Sequence, residues 1–332
     1  MMQFTEKQLI GNARICGLPD DYITILKYYY PVIEKYFSEY HELFYRKWPE
    51  KPDNFDDILP YEIAGLGKAA THALYITIIL SGVQHSKERY GILGYPLEMW
   101  RKIMPDLRLH LRLDGDKCLL HGSSVWWSFD ILSGYTIQLG RLQFQKFKFW
   151  GDVQGFRGRN SGKIIFLSNE GLKSYKDMIS GFPVCNGLIS TESISLPAAE
   201  YDKFLDNSSD AINIHIPAGQ KLDIDACRDS MRRARKFYAA HYPEFNAKGF
   251  ICLSWLLDFR LQKYLGTDSN IVKFQQLGVL YPYANESNES LQRVFGTTDV
   301  TGLKPENRLQ YALLDILKRG EKIYAGAIFI DM

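Results

Sequence analysis

The chain carries almost no net charge for its length: 40 Lys and Arg against 38 Asp and Glu leave +2 over 332 residues. A field that weak excludes nucleic acid as the main partner, because phosphate backbones are gripped by a basic excess. Cysteine is scarce and odd in number, five residues at 16, 118, 185, 227 and 252 with no Cys-x-x-Cys pair. That excludes a disulfide framework and a structural zinc site, so no metal is expected. Long apolar runs are missing too. The richest, Ala73 to Val83, falls far short of the ~20 residues that span a bilayer. Met1 to Lys7 is charged and lacks the apolar centre of a secretion signal. The expectation is a reduced, cytoplasmic protein with no membrane partner.

Aromatics are plentiful, with 21 Tyr and 19 Phe, which predicts a well-filled interior and an aromatic-lined groove. The length allows two domains. The first third reads as helical: Asp20 to Lys47 interrupted by Pro31, Tyr61 to Arg89, and Leu97 to Leu113, all with apolar residues at helical spacing. After Leu113 the character changes, which sets the boundary between a helical domain, 1–114, and a second domain, 115–332. Strands are expected at Lys117–Ser124, Tyr135–Trp150, Lys163–Ser168, Ile212–Ile216, Phe250–Leu257, Val279–Tyr283 and Lys322–Ile330. Asp114-Gly115 and Ser133-Gly134 are turn signals. Helices are expected at about 224–240, 270–277 and 306–319. Strands joined by helices favour a mixed α/β sheet, and residues 169–210 read as an irregular insertion.

Two stretches invite a phosphate reading. Gly155 to Lys163 (GFRGRNSGK) is glycine-rich and basic, but it is one residue short of a Walker loop and lacks the following Ser or Thr, so a solvated hairpin loop is expected. Ala211 to Asp223 (AINIHIPAGQKLD) is different. Isoleucines 212, 214 and 216 alternate with Asn213 and His215 as in a strand with one buried face. Pro217 ends the strand, Gly219 permits a tight turn, and Asp223 can cap the helix that follows. Unpaired N–H groups at that helix start, beside Lys221, suit an anion such as a pyrophosphate.

Among titratable groups, His215 ionises in the range useful to a base that deprotonates an amine; the bland alternative is a core-edge histidine bonded to backbone. Ser254 shares a strand face with Cys252 and suits hydrogen bonding to a ligand, whereas Cys252 reads as packing. Tyr281 and Tyr283 flank Pro282 and each offers a phenol as acid. Asp258 reads as a cap. Arg228, Arg232 and Arg235 share one helix face, by default a solvated one, with an adenosine 3′-phosphate contact as the minority reading.

The strings LGRLQFQ (139–145), IHIPAGQKLD (214–223), CLSWLLD (252–258) and SNIVKFQ (269–275), with ERYGI at Glu88 to Ile92 and then Trp100, resemble bacterial acyltransferase-domain proteins that join a helical N-terminal domain to a GNAT-like C-terminal domain. The resemblance implies an α+β fold, a helical N-terminal domain followed by a mixed β-sheet flanked by helices. It implies two parallel strands, 212–216 and 250–257, that splay apart around the pantetheine arm of acetyl-CoA or another acyl-CoA. The co-substrate would lie on Ile216, Ala218, Gly219, Gln220, Lys221 and Leu222.

The implied reaction is N-acyl transfer, with an acetyl group the first expectation, to an amine-bearing small molecule or peptide. His215, Ser254 and Tyr283 are placed in the catalytic role by position. Arg141, Gln143, Gln145 and Trp255 fall on the acceptor side, where the helical domain is expected to meet the Arg141/Gln143/Gln145 face. Pro217 to Leu222 departs from the Q/R-x-x-G-x-G/A pattern of GNAT pyrophosphate loops. That departure supports the alternative, a non-catalytic GNAT-like binding module that recognises a metabolite or a partner protein.

Overall fold

A computed structural model of the protein describes residues 4–51, 55, 59–114, 117–119, 122–286 and 289–332. Contacts group it into two compact units, residues 1–138 and 139–332.

The first unit is mainly helical. Helix α1 (Glu6–Ile15) starts in a capping box in which Thr5 and Gln8 exchange side-chain and backbone bonds. Helix α2 (Asp20–Tyr45) runs unbroken through Pro31, against expectation. Pro31 and Lys27, whose carbonyl loses its helical donor, both lie on the exposed side, where water supplies the missing partner. The expected 61–89 helix is two, α3 (Lys68–Ser81) and α4 (Val83–Ile92), divided at Gly82. A Cβ at Gly82 would overlap the Tyr45 hydroxyl, so the glycine lets α2 approach. From Ala70 to Ser81 every residue of α3 is buried, which makes it the unit's central rod.

The helix expected over 97–113 stops early. Helix α5 (Leu97–Ile103) passes into a 3₁₀ segment, Met104–Leu109, at Pro105, and a hairpin follows from strands β1 (Arg112–Asp114) and β2 (Lys117–Leu119). Gly115 of the expected Asp114-Gly115 turn lies outside the described residues. The expected strand Lys117–Ser124 is only that short β2. The chain then forms helix α6 (Gly122–Leu132), whose Val125, Phe129 and Leu132 are buried at helical spacing. Phe129 packs on Phe44, Trp48 and Phe55 at ring-centroid distances of 5.6, 5.3 and 5.5 Å. These elements belong to the first unit, which therefore extends past residue 114 to Gln138.

The second unit is built on a six-stranded mixed sheet in the order β15-β16-β14-β13-β4-β3. Its strands are β3 (Ile137–Leu139), β4 (Leu142–Lys148), β13 (Asp210–His215), β14 (Gly249–Ser254), β15 (Val279–Glu286) and β16 (Tyr324–Asp331). The expected 135–150 strand is divided at Gly140, whose φ of +84° ends β3. One pair is parallel, β13 with β14; β13 also pairs antiparallel with β4, and β14 with β16.

Alternation sorts the side chains. Ala211, Ile251, Ala327 and Phe329 face a core shared with Val153, Phe166 and Leu205 of a second sheet. That sheet has the order β12-β5-β6, from β5 (Val153–Gly158), β6 (Ile164–Ser168) and β12 (Tyr201–Leu205). The GFRGRNSGK stretch ends β5 with Gly155–Gly158 and turns over residues 159–163 into β6, a hairpin as expected. The opposite face of the large sheet carries α7 (Ile224–His241), with Cys227, Met231, Ala234, Phe237 and Tyr238 buried beneath it.

Residues 169–210 are not irregular. They form β7 (Lys173–Tyr175), β8 (Met178–Gly181), β9 (Val184–Cys185), β10 (Leu188–Ile189), β11 (Ile194–Pro197) and β12. Helices α8 (Leu261–Leu265), α9 (Asn270–Gln275), α10 (Glu289–Phe295) and α11 (Arg308–Lys318) complete the unit, all four around a separate apolar cluster that includes Leu261, Val272, Leu291 and Leu313. No helix among the described residues is long and apolar enough to cross a membrane.

Candidate active site

The parallel pair decides where a site can form. Strands β13 and β14 are paired at Ile212–Phe250, Asn213–Ile251 and Ile214–Cys252, and there the pairing ends. Beyond it β13 remains bonded to β4 through His215–Gln143, and β14 remains bonded to β16 through Ser254–Gly326. Each strand is thus held by its outer neighbour past the last shared pair, which leaves the facing edges of β13 and β14 unpaired at the carboxyl ends of two parallel strands.

One face of the sheet at this end is polar. His215 Nε2 lies 3.0 Å from Gln145 Oε1 and 3.1 Å from Asn213 Nδ2. The register explains the grouping, because Asn213 pairs with Gln145 and His215 with Gln143 on adjacent strands. Asn213, Gln143 and Gln145 are buried and His215 is half-buried. Gln143 Nε2 and Asn213 Oδ1 are both buried without a hydrogen-bond partner. Orphaned polar groups are costly in a core, and a bound ligand would supply their missing partners.

The turn from β13 to α7 follows directly on these unpaired edges. Ala218, Gly219, Gln220 and Lys221 are exposed and Leu222 is buried. Gly219 has a φ of +85°, with open space where a Cβ would sit. Asp223 caps α7 by accepting from Ala226 N at 2.8 Å. Arg141, in the turn between β3 and β4, is also here: its Nε donates to the Lys221 carbonyl at 2.8 Å and one terminal nitrogen donates to the Gln220 carbonyl at 2.9 Å. The other, Nη1, is buried without a partner. Burial lowers the guanidinium from its ordinary pKa, and the nearby Cys227 sulfur partly opposes that.

The structure therefore brings His215, Gln143 and Gln145 together and adds Asn213, which the sequence reading passed over. Its signal was the period-two position it shares with His215. Arg141 lies not beside the glutamines but under the 218–222 turn. The Ser254 hydroxyl accepts from Leu256 N at 3.2 Å and caps the 3₁₀ turn Trp255–Leu257. Trp255 packs on the helical cluster of α8 to α11, away from the Gln143/Gln145 face.

Tyr283 stands at 5.1 Å from the Trp150 ring. It lies on β15, three strands from β13 in the sheet order, which puts its backbone about 14 Å from that of His215 at ~4.8 Å per strand. Asp258 Oδ1 accepts from Arg260 N at 3.0 Å, in the manner of a cap just ahead of α8, and the same carboxylate clasps the Arg260 guanidinium. Along α7, Arg228 pairs with Asp225, and Arg232 and Arg233 with Asp229, so the basic face is largely neutralised within the helix. No cluster of His, Cys, Asp or Glu among the described residues can hold a metal.

Residues 136–329 match the family model described as the GNAT-like C-terminal domain. No curated protein matches the chain. Several solved structures share the fold, among them three acyltransferase complexes. One is an acyltransferase in complex with decanoyl-CoA, 19% identical, TM-score 0.60, with 91% of this chain and 79% of that chain covered. Another is an acyltransferase in complex with decanoyl-CoA and teicoplanin, 23% identical, TM-score 0.55, covering 90% and 77%. The third is an acyltransferase mutant in complex with octanoyl-CoA, 20% identical, TM-score 0.62, covering 98% and 88%.

Proposed function

The chain belongs to the family of the GNAT-like C-terminal domain, and from that premise we propose that it is an N-acyltransferase moving an acyl group from acyl-CoA to an amine. The observation that carries the reading is the end of β13–β14 pairing at Ile214–Cys252, beside an exposed turn and the start of α7. A pantetheine arm enters between the unpaired edges of β13 and β14 and bonds to backbone groups near Ile216 that β14 does not use, while the pyrophosphate lies on Ala218 to Leu222.

The acceptor amine sits over Gln143, Asn213 and His215. Its lone pair forms the C–N bond at the thioester carbonyl, and backbone N–H groups stabilise the oxyanion. Collapse of the intermediate breaks the C–S bond and expels the CoA thiolate. His215 takes the proton released by the nitrogen, and the thiolate takes up a proton from water, since Tyr283 stands three strands away. The structural neighbours carry decanoyl- and octanoyl-CoA, so medium acyl chains are favoured here over acetyl. The neighbour holding teicoplanin favours a glycopeptide-like amine as acceptor.

A thermal-shift series with CoA, acetyl-CoA, octanoyl-CoA and decanoyl-CoA tests the reading. Stabilisation should grow with chain length and be lost in Lys221→Ala and Gly219→Val. No shift with any thioester at saturation ends it. The second reading, a non-catalytic module, is favoured by one observation: the Ser254 hydroxyl is occupied as a cap and the Tyr283 backbone is far from His215. CoA binding without transfer to any amine would select it.

A further inference from the structure

The turn 218–222 has one glycine where GNAT pyrophosphate loops have more, yet its peptide groups are not left to chance. The carbonyls of Gln220 and Lys221 both accept from Arg141. Arg141 is 7% exposed, and among the described residues its side chain bonds to those carbonyls and pairs with no carboxylate. It is fixed at its own backbone as well: Arg141 N donates to Ser230 Oγ on α7 at 2.7 Å, and Ser230 Oγ donates to Ala226 O at 2.8 Å. The preceding Gly140 allows that approach, since a Cβ there would press against Ser230 Oγ.

A trans peptide points its N–H opposite to its C=O. Drawing the carbonyls of Gln220 and Lys221 inward onto a buried guanidinium therefore turns the N–H groups of Lys221 and Leu222 outward. Among the described residues neither of these two N–H groups has an acceptor. The third guanidinium nitrogen, buried without a partner, places an uncompensated positive charge under the same turn.

We propose that Arg141 is a positioning residue for the diphosphate: its clasp on two carbonyls orients the Lys221 and Leu222 N–H groups to bind the linkage between adenosine and pantetheine, in place of the missing glycines. The inference rests on the acyl-CoA reading and deepens it. It reassigns Arg141 from the acceptor side to the donor side.

The test is a comparison of octanoyl-CoA with octanoyl-pantetheine, which lacks the diphosphate and the nucleotide, on wild type, Arg141→Met and Arg141→Lys. Binding is followed by calorimetry and ligand-observed NMR, and folding by circular dichroism. Wild type should prefer octanoyl-CoA. In Arg141→Met that preference should shrink by at least about tenfold, the effect of losing a charge-assisted pair of bonds, while affinity for octanoyl-pantetheine stays level. Arg141→Lys keeps the charge but not the fork, so it should recover only part of the preference.

Equal loss of both ligands, or an unchanged preference, overturns the proposal. Failure of wild type to bind either ligand instead removes the acyl-CoA reading itself. Should Arg141→Met fail to fold, the wild-type amide resonances of Lys221 and Leu222 decide: they must shift on adding octanoyl-CoA and not on adding octanoyl-pantetheine. Shifts absent with octanoyl-CoA, or alike with the two ligands, refute the clasp.

Discussion

His215 and Gln145 sit on neighbouring antiparallel strands with Nε2 and Oε1 3.0 Å apart, and Asn213 Nδ2 approaches the same nitrogen at 3.1 Å. One ring nitrogen thus faces an acceptor and a donor. Protonated, Nε2 donates to Gln145; deprotonated, it accepts from Asn213. Such a nitrogen changes state without losing its partner, which suits a group that takes and returns a proton.

His215→Ala should therefore cut turnover by two to four orders of magnitude, roughly the range of general-base catalysis, while the affinity for acyl-CoA changes little. Gln145→Leu should move the pH profile of kcat, because it removes the partner of the protonated form. Single-turnover rates measured alongside calorimetric binding separate the two effects. If His215→Ala weakens CoA binding more than it slows transfer, His215 belongs to the binding surface instead.

The thiols make a second prediction, on reactivity. Burial pushes Cys227 up to about 11 and Cys252 up to about 12, and Cys185 is exposed. At pH 8 the thiolate fraction of the two buried groups is on the order of one in a thousand or less. Iodoacetamide on the folded protein should label Cys185 well before Cys227 or Cys252, as read by peptide mapping. Cys252→Ser should leave acyl transfer in place, since direct attack needs no thiol intermediate. Rapid labelling of Cys252, suppressed by acyl-CoA, would argue for a covalent route.

Much of this was legible in the chain beforehand, for reasons that differ by element. β13 and α7 were readable because the isoleucine alternation, the Pro217 stop and the Asp223 cap all agree on one structure. The strand expected over Lys117–Ser124 overlaps the start of α6 by three residues, and the body of that helix drew no expectation; only the burial of Val125, Phe129 and Leu132 at helical spacing marks it. The short strands of 173–205 are two to five residues long, too few for alternation to stand out. Even so, Asn186-Gly187, with both residues at positive φ, is a hairpin signal that could have been taken up. At the site, His215 and the glutamines were visible as alternation. The Arg141 clasp was not, since it joins residues 80 apart in sequence.

Two glycines make a third prediction, on stability against function. A Cβ at Gly326 would collide with the Leu257 carbonyl, a backbone atom that cannot swing aside. Gly326→Ala should therefore cost ~1–3 kcal/mol of global stability by overpacking. Gly219 has empty space around its missing Cβ and only its φ of +85° to protect. Gly219→Ala should cost about 1–2 kcal/mol at most, all of it local backbone strain, and should weaken acyl-CoA binding more than it lowers the denaturation midpoint. Urea titrations with and without octanoyl-CoA compare the two. Equal effects on both readouts would mean that the turn is structural only.

A fourth prediction concerns acid. His41 on α2 packs between Phe37 and Tyr45 of its own helix and faces His85 of α4, at centroid distances of 5.2, 4.8 and 6.3 Å. Burial first, and the neighbouring His85 second, lower its pKa below 6.5. In the unfolded chain the imidazole titrates near its ordinary value. Between the lowered value and 6.5 the unfolded chain holds a proton that the folded one rejects. Stability therefore rises with pH across that window and is lost as pH falls from 6.5 through the folded value. The buried-carboxylate losses that end most folds begin lower, so the two windows are separable. Urea midpoints of wild type should drop between pH 7.5 and 5.5, and those of His41→Gln should drop less, whatever its stability at pH 7.5. Parallel slopes for the two proteins would assign the acid sensitivity to other groups.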